Sequence, residues 1–215
     1  MKISKSFLTT AALVASFSAS ASANAQVTGS LGGGTLPFLS LSAPSTCTAV
    51  LPCTLGPGVA SIVGGEVFFL DKPFADIPAG VVKDNRFLAS GTQVGSPLGS
   101  VSTMTFSGGY GYVSFLWGSP DTNNKLTVNT TAGSQVFTAS GLGFAQTNGN
   151  QAFSQYVQFQ ANAGVTITSL VFENSPAFNA FEVANFSVVP EPSTYALMAA
   201  GLAALAVAAK RRKLA

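Results

Sequence analysis

From Val59 to Val189 the chain alternates short runs of β-branched and aromatic residues with clusters of Gly, Asn, Ser and Pro. That spacing predicts strands over 59–70, 81–89, 100–107, 110–117, 125–131, 135–140, 155–161, 165–174 and 180–189. Gly108-Gly109, Asp121-Thr122-Asn123-Asn124 and Asn148-Gly149-Asn150 separate them as turns. Several runs have a period of two. Ser102, Met104 and Phe106 share one face, and Val101, Thr103 and Thr105 the other. Val113, Phe115 and Trp117 share a face, as do Val157 with Phe159 and Phe181 with Val183. No segment between 26 and 189 follows a 3.6-residue period, and no internal repeat of fixed length is present. The pattern predicts an all-β body over 59–189, an antiparallel β-sandwich of the jelly-roll type.

The two ends differ from this body. Lys2 and Lys5 precede an apolar stretch from Phe7 to Ala19 and two small-x-small sites ending at Ala23 and Ala25. This is the three-part pattern of an export signal, expected over residues 1–25 as a helix removed after Ala25. The Sec translocon is the partner it implies. Residues 26–58 are rich in Gly, Pro, Ser and Thr and read as a loose N-terminal arm. Residues 190–215 begin with Pro190-Glu191-Pro192, continue uncharged from Ala196 to Ala209, and end in the basic cluster Lys210, Arg211, Arg212 and Lys213. The apolar run reads as a single transmembrane helix over 196–209, about 21 Å at 1.5 Å per residue. That is short for a hydrocarbon core of roughly 30 Å. Tyr195 and snorkelling Lys210 and Arg211 would extend it. The basic cluster is a stop-transfer tail that keeps this end cytoplasmic, so both ends predict a body outside the inner membrane.

Composition narrows the chemistry. The 215 residues are 47% hydrophobic and only 8% charged, and there is no histidine, which removes His-based acid–base, nucleophilic and metal-ligand arrangements. The formal charge of +2 misleads, because six of the ten basic residues lie in the terminal segments. Residues 26–189 hold four basic residues against seven acidic ones, a net of −3, and no basic stripe, so a nucleic-acid partner is not expected. Cys47 and Cys53 enclose five residues, and export to an oxidising compartment predicts their pairing as a disulfide.

The stretch Val189-Pro190-Glu191-Pro192-Ser193-Thr194-Tyr195-Ala196-Leu197-Met198, with Gly201-Leu202 and the Lys/Arg end, resembles the PEP-CTERM sorting signal. That tag is also called the ice-binding protein C-terminal domain. The resemblance implies processing by exosortase, a membrane transpeptidase-like enzyme of Gram-negative bacteria that make exopolysaccharide. It implies a transient inner-membrane anchor and then the cell surface or extracellular matrix, and says nothing of what the body does. Residues 83–189 also resemble a subgroup of exosortase-dependent surface proteins. Phe115-Leu116-Trp117-Gly118-Ser119-Pro120-Asp121, Asn124-Lys125-Leu126, Tyr156-Val157-Gln158-Phe159 and Ala180-Phe181-Glu182-Val183-Ala184-Asn185-Phe186 carry that likeness, with Ala184 where related members often have Asp.

Candidate chemistry in the body is sparse. No acidic pair stands in a glycosidase-like motif, and no catalytic residue, metal site or cofactor is expected. Asp121, Asn123 and Asn124 read as an Asx turn, with calcium ligation as the alternative. Glu182 and Asn185 read as the polar face of the last strand, with a second oxygen-ligand pair as the alternative. Trp117, the only tryptophan, is either core or part of a ligand surface with Asp121 and Asn124; Tyr110 and Tyr112 could form an exposed aromatic strip. The Thr-x-Thr pairs at 103/105 and 166/168 make no regular ice-binding array. The sequence thus predicts a non-enzymatic exported surface protein, with exopolysaccharide or other carbohydrate binding as the alternative.

Overall fold

The structure, a computed structural model, describes residues 26–91, 101–174, 180–190, 198–203 and 205. The predicted signal helix over 1–25 and the basic tail lie outside the described residues. Among the described residues twelve strands follow one another: β1 (Val27–Leu31), β2 (Ser45–Thr46), β3 (Cys53–Leu55), β4 (Ala60–Val63), β5 (Glu66–Phe68) and β6 (Phe87–Ser90) come first. Then come β7 (Val101–Gly118), β8 (Asn124–Thr130), β9 (Gly133–Thr138), β10 (Ser154–Ala161), β11 (Ile167–Asn174) and β12 (Phe181–Pro190). Every pairing among them is antiparallel, so the body is all-β.

Strand β7 organises the rest. Its first half pairs with β11 on one side and β4 on the other, Thr103 lying opposite both Val171 and Val63. Its second half pairs with β10 and β12, Trp117 lying opposite Gln155 and Val183. The change of partners falls at Gly108-Gly109, read from sequence as a turn between two strands. The structure corrects this to one 18-residue strand. A Cβ on Gly109 would lie 2.7 Å from the Thr166 side chain, so glycine is needed for close approach, not for reversal. One layer therefore runs β3-β4-β7-β11-β8-β9 and the other β1-β10-β7-β12-β6-β5-β2.

The inward faces of the two layers meet through aromatic rings. Phe172 of β11 packs on Phe115 of β7 at 5.5 Å and Phe181 of β12 at 5.4 Å, and Phe137 of β9 on Phe159 of β10 at 5.0 Å. Trp117, Phe115, Phe159, Phe172, Phe181 and Phe186 are fully buried there. Each such ring contributes about 1.5–3 kcal/mol by leaving water. A smaller cluster of Phe68, Phe87, Ala89, Ala180 and Ala184 packs against Phe74, Ile77 and Val81. Its alanines let the 69–86 segment lie close over β6 and β12.

Two further expectations are corrected. The run 59–70 is two strands, because Gly64 and Gly65 take positive φ and a Cβ on Gly65 would sit 2.2 Å from Ser102 Oγ and 2.5 Å from the Ala89 carbonyl. The 26–58 stretch is also not loose. It supplies β1, β2 and β3, and β1 pairs along β10 from Val27–Ala161 to Leu31–Val157. Strands of two or three residues carry no readable period. Cys47 and Cys53 are buried and joined by a disulfide with a Cα–Cα distance of 4.9 Å. At the other end, residues 198–203 and 205 are helical. No helix among the described residues is long and apolar enough to cross a membrane, so the expected 196–209 span has no support there.

Candidate functional site

The inward parity of β7 decides the fate of the sequence-predicted ligand surface. Trp117 is completely buried, with its ring 4.4 Å from Phe181. Its Nε1 donates to Asn124 Oδ1 at 3.2 Å, and Asn124 is itself buried. Asp121 Oδ1 accepts from the Asn123 and Asn124 amides at 2.6 and 3.0 Å, an Asx turn that leads into β8. Trp117, Asp121 and Asn124 therefore meet through Asn124 as a core-side brace. A buried indole offers no stacking face to a ligand. Among the described residues no group of three His, Cys, Asp or Glu side chains could hold a metal ion.

The least conventional group lies beside that turn. Glu182 on β12 is fully buried. Its Oε2 accepts from Ser119 Oγ at 2.5 Å, the backbone amides of Asp76 and of Glu182 itself lie nearby, and Oε1 has no well-formed partner. Ser119 holds φ at +34°, a left-handed conformation that places it at the end of β7. Pro78 closes the site from above, since a Cβ on Gly118 would meet the proline ring at 2.8 Å. Burial, with a smaller push from the Asp121 carboxylate, raises the Glu182 pKa to about 8 against the pull of Ser119 and the amides. Burial also raises the pKa of half-buried Asp121. The sequence pattern puts Glu182 on the polar face of the last strand and does not disclose its burial, because alternation reports which face a residue takes and not what later covers that face.

Asn185, its expected oxygen partner, sits at a positive φ of 50° where the β12–β7 register slips. Its Oδ1 accepts from the Val82 and Lys83 amides, and its Nδ2 donates to the Gly80 carbonyl and Tyr156 Oη. It pins the 80–83 segment to the outer face of the second layer. The two tyrosines of the expected strip part company. Tyr110 packs edge-on against Phe106 at 5.2 Å, while Tyr112 lines an open groove of about 500 Å3 with Thr35, Gly111, Gln158, Gln160, Val189 and Pro190.

That groove adjoins the place where the body ends. Val188, Val189 and Pro190 are still paired with β7, opposite Val113, Tyr112 and Tyr110. Glu191 and Pro192 lie outside the described residues. The fold is thus an antiparallel all-β body whose last paired strand runs to Pro190. Residues 188–213, which overlap the end of that strand, match the family of the PEP-CTERM protein-sorting motif. The chain carries this motif, which implies an exosortase-type processing enzyme and export to the cell envelope or surface. None of the curated proteins and none of the solved structures matches the chain.

Proposed function

We propose that this protein is a non-enzymatic component of the cell surface or extracellular matrix, delivered through its C-terminal motif. The observation that carries the reading is the match over 188–213, which begins on the last three strand residues of a finished body. In this reading residues 1–25 direct export through the Sec translocon, and 196–209 form a transient inner-membrane anchor with Lys210, Arg211, Arg212 and Lys213 on the cytoplasmic side. An exosortase-type enzyme then recognises Pro190, Glu191 and Pro192. The two facing layers are read as a β-sandwich of the jelly-roll kind. The absence of histidine and the enclosure of Glu182 away from solvent favour a binding or structural role over hydrolysis.

A second reading, binding of exopolysaccharide or other carbohydrate by the body, is favoured by the groove beside Tyr112, whose described lining residues are all uncharged. The sorting claim is tested by changing Pro190, Glu191 and Pro192 to Ala in the producing cell. The variant should accumulate as a longer, inner-membrane form, and normal surface delivery of the triple variant would contradict the reading.

A further inference from the structure

We propose that the groove centred on Tyr112, Gln158 and Gln160 is a binding site for a neutral polysaccharide; this rests on the carbohydrate reading above and gives it a location and a ligand class. Three adjacent strands build the floor. Gln160 of β10, Tyr112 of β7 and Val189 of β12 lie opposite one another in a single cross-strand row. Gly111, next to Tyr112, contributes no side chain and leaves depth in the floor. The wall is the N-terminal segment. Gly33 lies so close to the sheet that a Cβ on it would meet Ser114 Cβ at 2.8 Å and Tyr112 Oη at 3.0 Å, and its φ is +100°. Gly32, Gly33 and Gly34 therefore lay the chain flat on the sheet and stop it at Thr35, which borders the opening.

The polar groups of the groove are held in place. Tyr112 Oη donates to Gln158 Oε1 at 3.1 Å, and Gln158 Nε2 donates to Ser30 Oγ at 3.1 Å. Gln160 Nε2 donates to the Gly111 carbonyl at 2.8 Å. These bonds fix both amide planes without using all their capacity. Among the described residues the Gln158 amide keeps a second N–H and a second lone pair, while Gln160 Nε2 also donates to the Ala161 carbonyl at 3.4 Å and its carboxamide oxygen accepts no bond. A ligand that answers such a site must both donate and accept, which hydroxyl groups do. The phenol ring, Val189 and the Pro190 ring supply apolar surface for the C–H faces of a sugar. Among the described residues no charged side chain lines the groove, so these residues offer an anionic polymer no counter-charge. Its volume of about 500 Å3 falls within the roughly 300–1,000 Å3 of small-ligand sites, and its open form admits a chain segment that continues beyond the site.

The test uses the protein as extracted from the cell surface, in affinity electrophoresis and calorimetry. The probes are the neutral polymers dextran, galactomannan, xyloglucan and mixed-linkage β-glucan, with alginate as an anionic control. At least one neutral polymer should bind and alginate should not. Affinity should change less than about twofold between about 50 and about 500 mM NaCl, because no ion pair is screened. Tyr112→Ala, and Gln158→Ala combined with Gln160→Ala, should each weaken binding by about tenfold or more. Val136→Ala, an exposed change on β9 of the other layer, should leave it unaltered. If Tyr112→Ala does not fold, Gln160→Ala alone decides, since that side chain is exposed. Neutral-polymer binding that survives in folded Tyr112→Ala and Gln160→Ala protein overturns the groove while leaving the carbohydrate reading in place. Preference for alginate with steep salt dependence overturns the ligand class. Absence of binding to every neutral polymer overturns both.

Discussion

Replacing Glu182 with Gln should make this protein more stable at neutral and mildly alkaline pH. The buried carboxyl holds its proton up to about pH 8, whereas the same group in the unfolded chain releases it near 4.5. A folded-state pKa above the unfolded one means that the native state binds more protons in this window. Its contribution to stability is then complete below about pH 4.5 and is lost as pH rises towards 8. The slope is about 1.4 kcal/mol for each pH unit across that interval, or on the order of 5 kcal/mol in all. Gln reproduces the shape of the neutral acid, can still engage Ser119 Oγ, and never has to ionise. Glu182→Gln should therefore gain roughly 3 kcal/mol at pH 7 and lose most of the slope. A residual slope remains in the acid range, because Asp76 and Asp121 also have raised pKa values, each mainly from burial. Urea denaturation of wild-type and variant protein at pH 5, 6, 7 and 8 measures the difference directly. Parallel curves for the two proteins, or a variant less stable at pH 8, would refute the assignment of a neutral buried acid at this position.

Other perturbations read different parts of the fold. Trp117→Ala should cost about 3–5 kcal/mol in chemical denaturation, as removal of a large core ring does, and a loss below about 1 kcal/mol would mean that the indole is not enclosed. Asn185→Ala strands the Val82 and Lys83 amides and should cost about 3 kcal/mol while increasing proteolysis within the 80–86 segment; unchanged cleavage would remove its role as a pin. Reduction of the Cys47–Cys53 bridge opens a ring of only five intervening residues and should cost about 2 kcal/mol, read as a shift in the denaturation midpoint.

The difference between what the sequence discloses and what it hides follows residue periodicity. Alternation in β7, β10 and β12 was readable because each has at least eight residues, and it put Phe115 with Val113 and Trp117, Phe159 with Val157, and Phe181 with Val183 on shared faces, all of them buried. The N-terminal strands were not readable, since β2 and β3 have two and three residues and β1 contains Gly29, which has no side chain to show a face. A Cβ on Gly29 would lie 2.7 Å from the Phe137 ring, so this glycine marks close packing where composition alone suggested slack. Gly108-Gly109 resembled a turn because bends within strands and turns between them use the same residue. The Glu182 site and the groove share one further obstacle. Both are made by segments distant in sequence, the loop at Pro78 and the arm at Thr35, which settle over strand faces that alternation marks as solvated. Trp117 illustrates the converse: its parity with Val113 and Phe115 already pointed to the core, and the hydrogen bond to Asn124 explains why polar residues cluster beside it.

Sorting through the C-terminal motif is the centre of the functional account, and the mature C-terminus is where it can be measured. Protein extracted from the cell surface should be digested and its C-terminal peptide identified by mass spectrometry. Because Val188, Val189 and Pro190 are held in the sheet against β7, the chain should keep these residues, and removal of the matched motif should leave it ending close to Pro192. Abundant surface protein that still ends in Lys213-Leu214-Ala215 would contradict it, making the segment a permanent part of the protein and not a signal that is removed.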